Sequence, residues 1–307
     1  MKLKVKIPAT SANFGSGFDV FGSALKLYNE IEVQNFESKS EKLRIEIEGE
    51  GDRELSKDEK NIVWQAIKKI FNILKITPPH LYIKLKNSIP LARGLGSSAS
   101  ARIGGLVIAN RICGNKLSEK EIIKIATELE GHPDNVVPAM VGGFCVVVKK
   151  NKNEIEYVKF NMPENLQAVL CIPEIKVLTE YARKILPMNV PYEDAVFNCS
   201  RTALLVSAIS QKKFYLLKTA MEDKLHQKYR KRLIPGMDDV FSSALKLGCS
   251  GVALSGSGPT IIAIVDKNSK VIPERIGKAM VSAFSKNNIK SRYILCNFEN
   301  KGVEFVK

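Results

Sequence analysis

The sequence predicts an α+β fold divided into two domains. Three observations carry that expectation. The chain has 307 residues and a hydrophobic content of 45%, enough for two ordinary globular domains. Strand-like and helix-like periodicities follow one another irregularly, which argues against a doubly wound sheet. A Gly-rich turn over residues 90–100 (Pro-Leu-Ala-Arg-Gly-Leu-Gly-Ser-Ser-Ala-Ser) joins a half-buried strand to an apolar helix, and such a junction offers a helix N-terminus to an anion.

Residues 2–7 alternate Lys with apolar side chains, so a strand is expected over 3–7. Further strands are expected over 29–35, 43–48, 81–86 and 143–149, and helices over 61–74, 97–110 and 118–129. Ser118 and Glu121 form a capping box at the start of the last helix, and Gly131 suits its end. The polar stretch 149–154 reads as a surface hairpin. The domain boundary is placed just after it, giving 1–155 and 156–307, with Met162 and Pro163 as the last punctuation. The second half should contain a strand over 166–172 and helices over 177–186, 194–211, 214–222 and about 236–247. A strand–loop–strand over 251–265 follows, then a final helix and strand.

Composition narrows the function. No apolar run approaches the ~20 residues of a membrane helix, and the alternating N-terminus is unlike a signal peptide, so a cytoplasmic protein is expected. The six cysteines are widely spaced without a C-x-x-C pair, which reads as buried free thiols rather than a metal or disulfide framework. The net charge of +15 is dispersed apart from a cluster over 228–232. Aromatic interleaving suited to single-stranded nucleic acid is absent. Solvated surface charge, compatible with steering a polyanionic nucleotide, is the expectation.

The Gly-rich turn reads as a phosphate cradle. Gly94 and Gly96 let the backbone approach an anion closely, and Ser97 and Ser98 add hydroxyls for a phosphate oxygen or a metal. It is not a P-loop, because no Lys follows Gly96. Nor is it a dinucleotide fingerprint, because Ala99 stands where a third Gly is needed. Four other segments carry chemistry-bearing residues. Residues 8–19 form a polar turn ending in Asp19, either a cap or a ligand group. Residues 128–135 (Glu-Leu-Glu-Gly-His-Pro-Asp-Asn) crowd Glu130, His132, Asp134 and Asn135 at a helix end. One Glu there and one Ser of the cradle would suffice for Mg²⁺ beside phosphate oxygens. Residues 251–260 (Gly-Val-Ala-Leu-Ser-Gly-Ser-Gly-Pro-Thr) form a hairpin or a close backbone approach to another loop or a ligand. Arg183, one turn after Thr179, and Arg230 are each either surface charges or carboxylate ligands.

Together, and in this order, the motifs over 8–19, 90–99 and 251–260 resemble those of the GHMP kinases, across nearly the whole chain. The Glu-Gly-His-Pro-Asp-Asn turn, Thr179 with Arg183, and Arg230 before Leu-Ile-Pro are similar to the branch that phosphorylates homoserine. The resemblance implies an N-terminal domain like the ribosomal S5 domain 2, with a left-handed β-α-β unit, a ferredoxin-like C-terminal domain, and an active site between them. It implies ATP and Mg²⁺ as cofactors, L-homoserine as acceptor on the route to threonine, and a homodimer. Pro90, Leu91, Ala92, Arg93, Gly94, Leu95, Gly96, Ser97, Ser98, Ala99 and Ser100 would surround the triphosphate. Asn61 would contact the adenine edge. Ser98 and Glu130 would hold the metal, with Ser97 and Glu128 as the alternatives. Asn13, Asp19, His132, Asn135, Thr179, Arg183, Arg230 and Gly256 would line the acceptor pocket.

A zwitterionic acceptor needs both signs of charge, which Asp19 and the arginine pair supply. A mevalonate-type alcohol, the alternative within the family, does not. A basic nucleic-acid module, the alternative outside it, leaves the motifs at 128–135 and 251–260 without a role. Phosphoryl transfer through a loose transition state depends more on positioning and charge neutralisation than on a strong base. Glu130→Ala is therefore expected to lower kcat more than Asp134→Ala. Equal losses in steady-state turnover, with both variants folded, would contradict that ranking.

Overall fold

The structure, a computed structural model, describes residues 1–37, 41–151 and 154–306. The first sheet is built from β1 (Lys2–Ala12), β2 (Phe21–Asn35), β3 (Leu43–Gly49), β4 (Leu81–Asn87), β5 (Phe144–Asn151) and β6 (Glu154–Phe160). β1 and β2 pair antiparallel along almost their whole length, while β3 and β4 run parallel and adjacent. The connection between β3 and β4 is α1 (Ile62–Leu74), a β-α-β unit. β5 pairs with the start of β2, and β6 with β5.

The alternation of β1 places Val5 and Ile7 in the core. Its other face carries Lys2 and Lys4, which pair across the ladder with Glu32 and Glu30 at 2.9 and 2.8 Å. Both strands are longer than the pattern predicts. After a register shift between Pro8 and Ala9, residues 9–12 stay paired with 22–25 of β2, so the turn expected from residue 8 narrows to the residues between the strands. Thr10 and Ser11 are fully buried there. Polar side chains buried under another loop give no apolar alternation to read.

α2 (Ser97–Ile112) is buried without a break from residue 103 to 110 because it packs against α1, β1 and α3 (Glu119–Glu130). α3 begins at the expected capping box and ends at Gly131 in the left-handed conformation. α4 (Val136–Val141) follows at once. At 6 residues it is too short to show helical periodicity, and it was not expected.

The chain leaves the first sheet after Phe160 and enters the second at Leu166. Residue 155, the expected boundary, lies within β6. Of the hairpin expected over 149–154, residues 152 and 153 lie outside the described residues. The second half runs β7 (Leu166–Pro173), α5 (Thr179–Lys184), α6 (Tyr192–Ser210), α7 (Leu217–Ala220), α8 (Gln227–Arg230), α9 (Met237–Lys246), β8 (Gly251–Leu254), β9 (Ile261–Asp266), α10 (Pro273–Lys286) and β10 (Ser291–Asn297). Its four strands are antiparallel in the order β10-β7-β9-β8, the split β-α-β order of ferredoxin-like domains. The last strand, β11 (Glu304–Val306), returns to the first sheet beside β1. It was not expected, since three residues carry no readable period.

The two layers share one apolar core. Phe14, Phe21 and Phe144 from the first half pack with Leu170, Leu205, Ile262 and Phe298 from the second. Phe144 is fully buried, edge-on to Phe14 at 5.5 Å and 5.1 Å from Phe21. Five cysteines are buried free thiols as expected, while Cys199 is exposed. Burial pushes the thiols of Cys145, Cys171, Cys249 and Cys296 up to about 12.

Because this core spans both halves, Phe144→Ala should destabilise the whole chain by about 3–5 kcal/mol, shifting a single cooperative denaturant transition. Two separated transitions, with only one moved, would contradict a shared core.

Candidate active site

Three loops meet at one end of the molecule. The cradle between β4 and α2 lies between the turn after β1 and the loop after β8. The Thr10 amide donates to the Leu95 carbonyl (3.1 Å), the Thr260 amide to Arg93 (3.3 Å) and the Gly256 amide to Ala12 (3.0 Å). Ser255 Oγ lies 2.6 Å from the Gly94 carbonyl and 2.8 Å from Ser11 Oγ. The approach is too close for side chains. A Cβ on Gly94 would lie 2.1 Å from the Ser255 carbonyl, and one on Gly96 1.9 Å from Thr10 Oγ1, with φ of +71 and +68° at the two glycines. Gly96 caps α2 without a side-chain hydrogen bond, so the first amides of a long helix face the cleft.

Beside this N-terminus, Ser98 Oγ donates to Glu130 Oε2 at 2.9 Å, and Arg102 pairs with the same carboxylate. α3 ends at Glu130, which brings the carboxylate to the cleft, whereas Glu128 on the same helix is exposed. A hydroxyl and one carboxylate are hard oxygen donors that suit Mg²⁺ when phosphate oxygens complete the shell.

Beyond Gly131, His132 Nδ1 lies 2.5 Å from Asp134 Oδ1. Asp134 is 2% exposed and also accepts from Asn135 Nδ2 at 3.4 Å, while Asn135 Oδ1 accepts from Thr10 Oγ1 at 2.7 Å. Burial pulls the His132 imidazole down, but the hydrogen bond and charge of Asp134 outweigh it, and the net shift is upward.

The opposite wall carries the charges. Asn13, at φ 72°, accepts from the Asp19 amide through Oδ1 and donates to the Gly256 carbonyl through Nδ2. Asp19 receives two parallel hydrogen bonds from Arg183, Nη1 to Oδ2 at 2.8 Å and Nη2 to Oδ1 at 2.7 Å. That pairing raises the Arg183 guanidinium above its ordinary value. Arg230 is 1% exposed and has no carboxylate on it among the described residues. Desolvation, then the nearby charge of Arg183, lowers it to about 10, so it is still a cation at neutral pH. Thr179 Oγ1 lies 3.2 Å from Ser257 Oγ at the rim.

A second cavity of about 270 Å³ adjoins the first and shares Ala92, Ser97 and Ser98 with it. Its walls include Ile31, Leu55, Val63 and Leu85, an apolar surface suited to a flat aromatic group next to the phosphate cradle.

The family description "GHMP kinases N terminal domain" matches residues 61–143, and "GHMP kinases C terminal" matches 205–285. The chain belongs to the GHMP kinases. It is 46% identical to a homoserine kinase of Caldicellulosiruptor bescii, over 91% of this chain and 90% of the relative. It is 45% identical to a homoserine kinase of Carboxydothermus hydrogenoformans, over 97% and 95%. The crystal structure of homoserine kinase from Cytophaga hutchinsonii superposes with a TM-score of 0.87 at 34% identity, over 99% of this chain and 97% of that one.

In this GHMP kinase most residues singled out from the sequence converge. Pro90, Ala92 to Ser98, Glu130, His132, Asp134 and Asn135 line one side of the cleft, and Asn13, Asp19, Thr179, Arg183, Arg230 and Gly256 the other. Leu91 lines the apolar cavity. Ala99 and Ser100 do not reach the cleft lining; both are fully buried within α2. Asn61 lines the apolar cavity, but its amide already caps α1 at Val63 and donates to the Ser56 carbonyl at 2.7 Å. Arg102, Thr10, Phe18 and His226 were missed. Arg102 stands one helical turn after Ser98, and that spacing is the signal that could have found it. Phe18 and His226 stack at 5.1 Å across a long sequence separation and left no local signal.

Since Asp134 raises His132 above the ordinary imidazole value, this pair's stabilisation is complete below about pH 6.5 and is lost as pH rises through the elevated folded-state value. An NMR titration should place the His132 midpoint above about 6.5, and Asp134→Asn should lower it and flatten the loss of stability on the alkaline side. An unchanged midpoint in Asp134→Asn would contradict the assignment.

Proposed function

We propose that this GHMP kinase transfers the γ-phosphoryl group of ATP to the side-chain hydroxyl of L-homoserine, a step on the route to threonine. The observation that carries this reading is the wall of charges. Asp19 and Arg183 form an ion pair at the cleft, with the buried cation of Arg230 beside them and, among the described residues, no carboxylate on it. An amino-acid zwitterion fits such a wall. Its ammonium goes to Asp19 and its carboxylate to Arg183 and Arg230, so one internal ion pair is exchanged for two with the ligand. The high identity to relatives named homoserine kinase supports the same choice.

With the head group held there, the acceptor hydroxyl extends toward His132 and Asn135 and the anion-binding end of α2. The apolar cavity receives the adenine and the cradle the phosphates. Mg²⁺, held by Ser98 and Glu130 with phosphate oxygens, would neutralise charge on the phosphates. The protein's own contribution is alignment and fixed dipoles. The α2 amides face the transferring group, and the His132–Asp134–Asn135–Thr10 chain holds the polar wall in one arrangement. The loose transition state of phosphoryl transfer asks for such positioning more than for a strong base. The one Asp134 oxygen that accepts from both His132 and Asn135 fits an orienting role.

We infer that the enzyme works as a homodimer in the cytoplasm, as the resemblance to its family implies. Among the described residues no helix is long and apolar enough to cross a membrane.

ATP-to-ADP turnover with Mg²⁺ should respond to L-homoserine well above the rate without acceptor, and far less to mevalonate, galactose or L-serine. Turnover on another of these alcohols with no homoserine response would keep the kinase and overturn the acceptor.

A further inference from the structure

We propose that His226 is a positioning residue for the acceptor's carboxylate: its Nδ1 fixes the rotation of the Arg230 guanidinium. The inference rests on the reading that Arg230 receives that carboxylate, and it assigns a role to a side chain outside the cleft lining.

Two of the three nitrogens of the Arg230 guanidinium are held by fixed partners. Nε donates to the Ala182 carbonyl at 3.2 Å, and Nη1 to the Gly256 carbonyl at 3.1 Å and to His226 Nδ1 at 3.2 Å. Nη2 has no partner among the described residues, and it is the edge of a cleft-lining side chain left for a ligand. Guanidinium is planar, so fixing Nε and Nη1 fixes Nη2 as well.

The tautomer of His226 follows from its partners. Arg230 can only donate, so Nδ1 accepts. The Gly15 carbonyl, 2.9 Å from Nε2, can only accept, so Nε2 carries the hydrogen. The ring is therefore neutral and held at both nitrogens. Burial disfavours its protonated form, as does the nearby charge of Arg230, against the opposing pull of Asp223, whose Oδ2 lies 3.7 Å from Nε2. Protonation would turn the Nδ1 acceptor into a donor facing a guanidinium.

The surroundings hold the ring rigid. His226 is fully buried and stacks on Phe18 at 5.1 Å with 27° between the planes. The Phe18 ring also lies 5.1 Å from the Arg230 guanidinium and 5.7 Å from that of Arg183. Asp223 accepts the backbone amides of Leu225, His226 and Gln227, which sets the segment entering α8 so that His226 and Arg230 lie one turn apart. The ring thus connects the Gly15 turn of the first layer to the carboxylate-binding edge of Arg230 in the second.

Two amide substitutions separate the nitrogens. His226→Asn places a carbonyl oxygen near Nδ1 and keeps an acceptor for Arg230. His226→Gln reaches Nε2 and keeps a donor for Gly15 but no Nδ1 acceptor. His226→Gln should raise KM for L-homoserine about tenfold or more, the size expected for a hydrogen bond to a charged group, with kcat and KM for ATP nearly unchanged. His226→Asn should recover most of that loss. In the wild-type protein, ¹⁵N shifts of the His226 imidazole should show hydrogen on Nε2 and none on Nδ1, a readout that needs no variant to fold. Hydrogen on Nδ1, an unchanged homoserine KM in His226→Gln, equal effects in both variants, or KM for ATP rising in parallel would each overturn the proposal. Arg230→Gln separates this from the underlying reading. If it leaves homoserine binding intact, the carboxylate assignment itself fails. If it weakens homoserine while His226→Gln does not, only the role of His226 falls.

Discussion

The cleft depends on the approach of three backbone loops that only glycine permits. Gly94 meets the Ser255 carbonyl and Gly96 meets Thr10 at distances that no Cβ could occupy. Both glycines take positive φ, a conformation costly for other residues. From that contact the rest follows. The cradle is held open at the N-terminus of α2, the loop after β8 is drawn over it, and Asn13 reaches Gly256 to place Asp19 opposite the phosphate end. The shared aromatic core beneath keeps the two layers from separating. The site is thus a property of the interface between the layers rather than of either one.

Electrostatics then sorts the cleft into regions. The helix end and cradle offer backbone amides and positive dipole to phosphates. Glu130 places a single negative charge there; Arg102 neutralises it, so the carboxylate is held without an unpaired charge in a half-buried place. On the other wall, Asp19 and Arg183 satisfy each other, whereas Arg230 is buried against carbonyls and an imidazole. A buried cation without an anion is costly unless a ligand completes it. That imbalance is the strongest physical indication that an anionic group belongs at this end of the cleft.

Much of this was legible in the sequence, and the exceptions have physical causes. The capping box at Ser118, the amphipathic α1 and the alternation of β4 gave their elements nearly to the residue, because local hydrogen bonds or burial period decide them. The end of β1 was missed because Thr10 and Ser11 are polar side chains buried against the cradle and the loop after β8. α4 and β11 were missed because they are too short for a period. In the site, the Gly-Leu-Gly-Ser-Ser turn and the charged residues announced themselves by type and spacing. Ala99 and Ser100 were included by adjacency, although the helix turns them away from the cleft. His226 and Phe18 act through packing between distant segments, which no local pattern encodes.

The central claim is that one wall of this cleft recognises both charges of an amino-acid head group beside a nucleotide. Calorimetric titration, with Mg²⁺ and a non-hydrolysable ATP analogue present, tests it most directly. L-homoserine would be compared with 4-hydroxybutyrate, which lacks the ammonium, and with 3-aminopropan-1-ol, which lacks the carboxylate. Binding of L-homoserine with loss of about 100-fold or more for each analogue, the size of a charge-assisted contact left unmade, is the predicted result. Either analogue binding as tightly as L-homoserine would contradict the account.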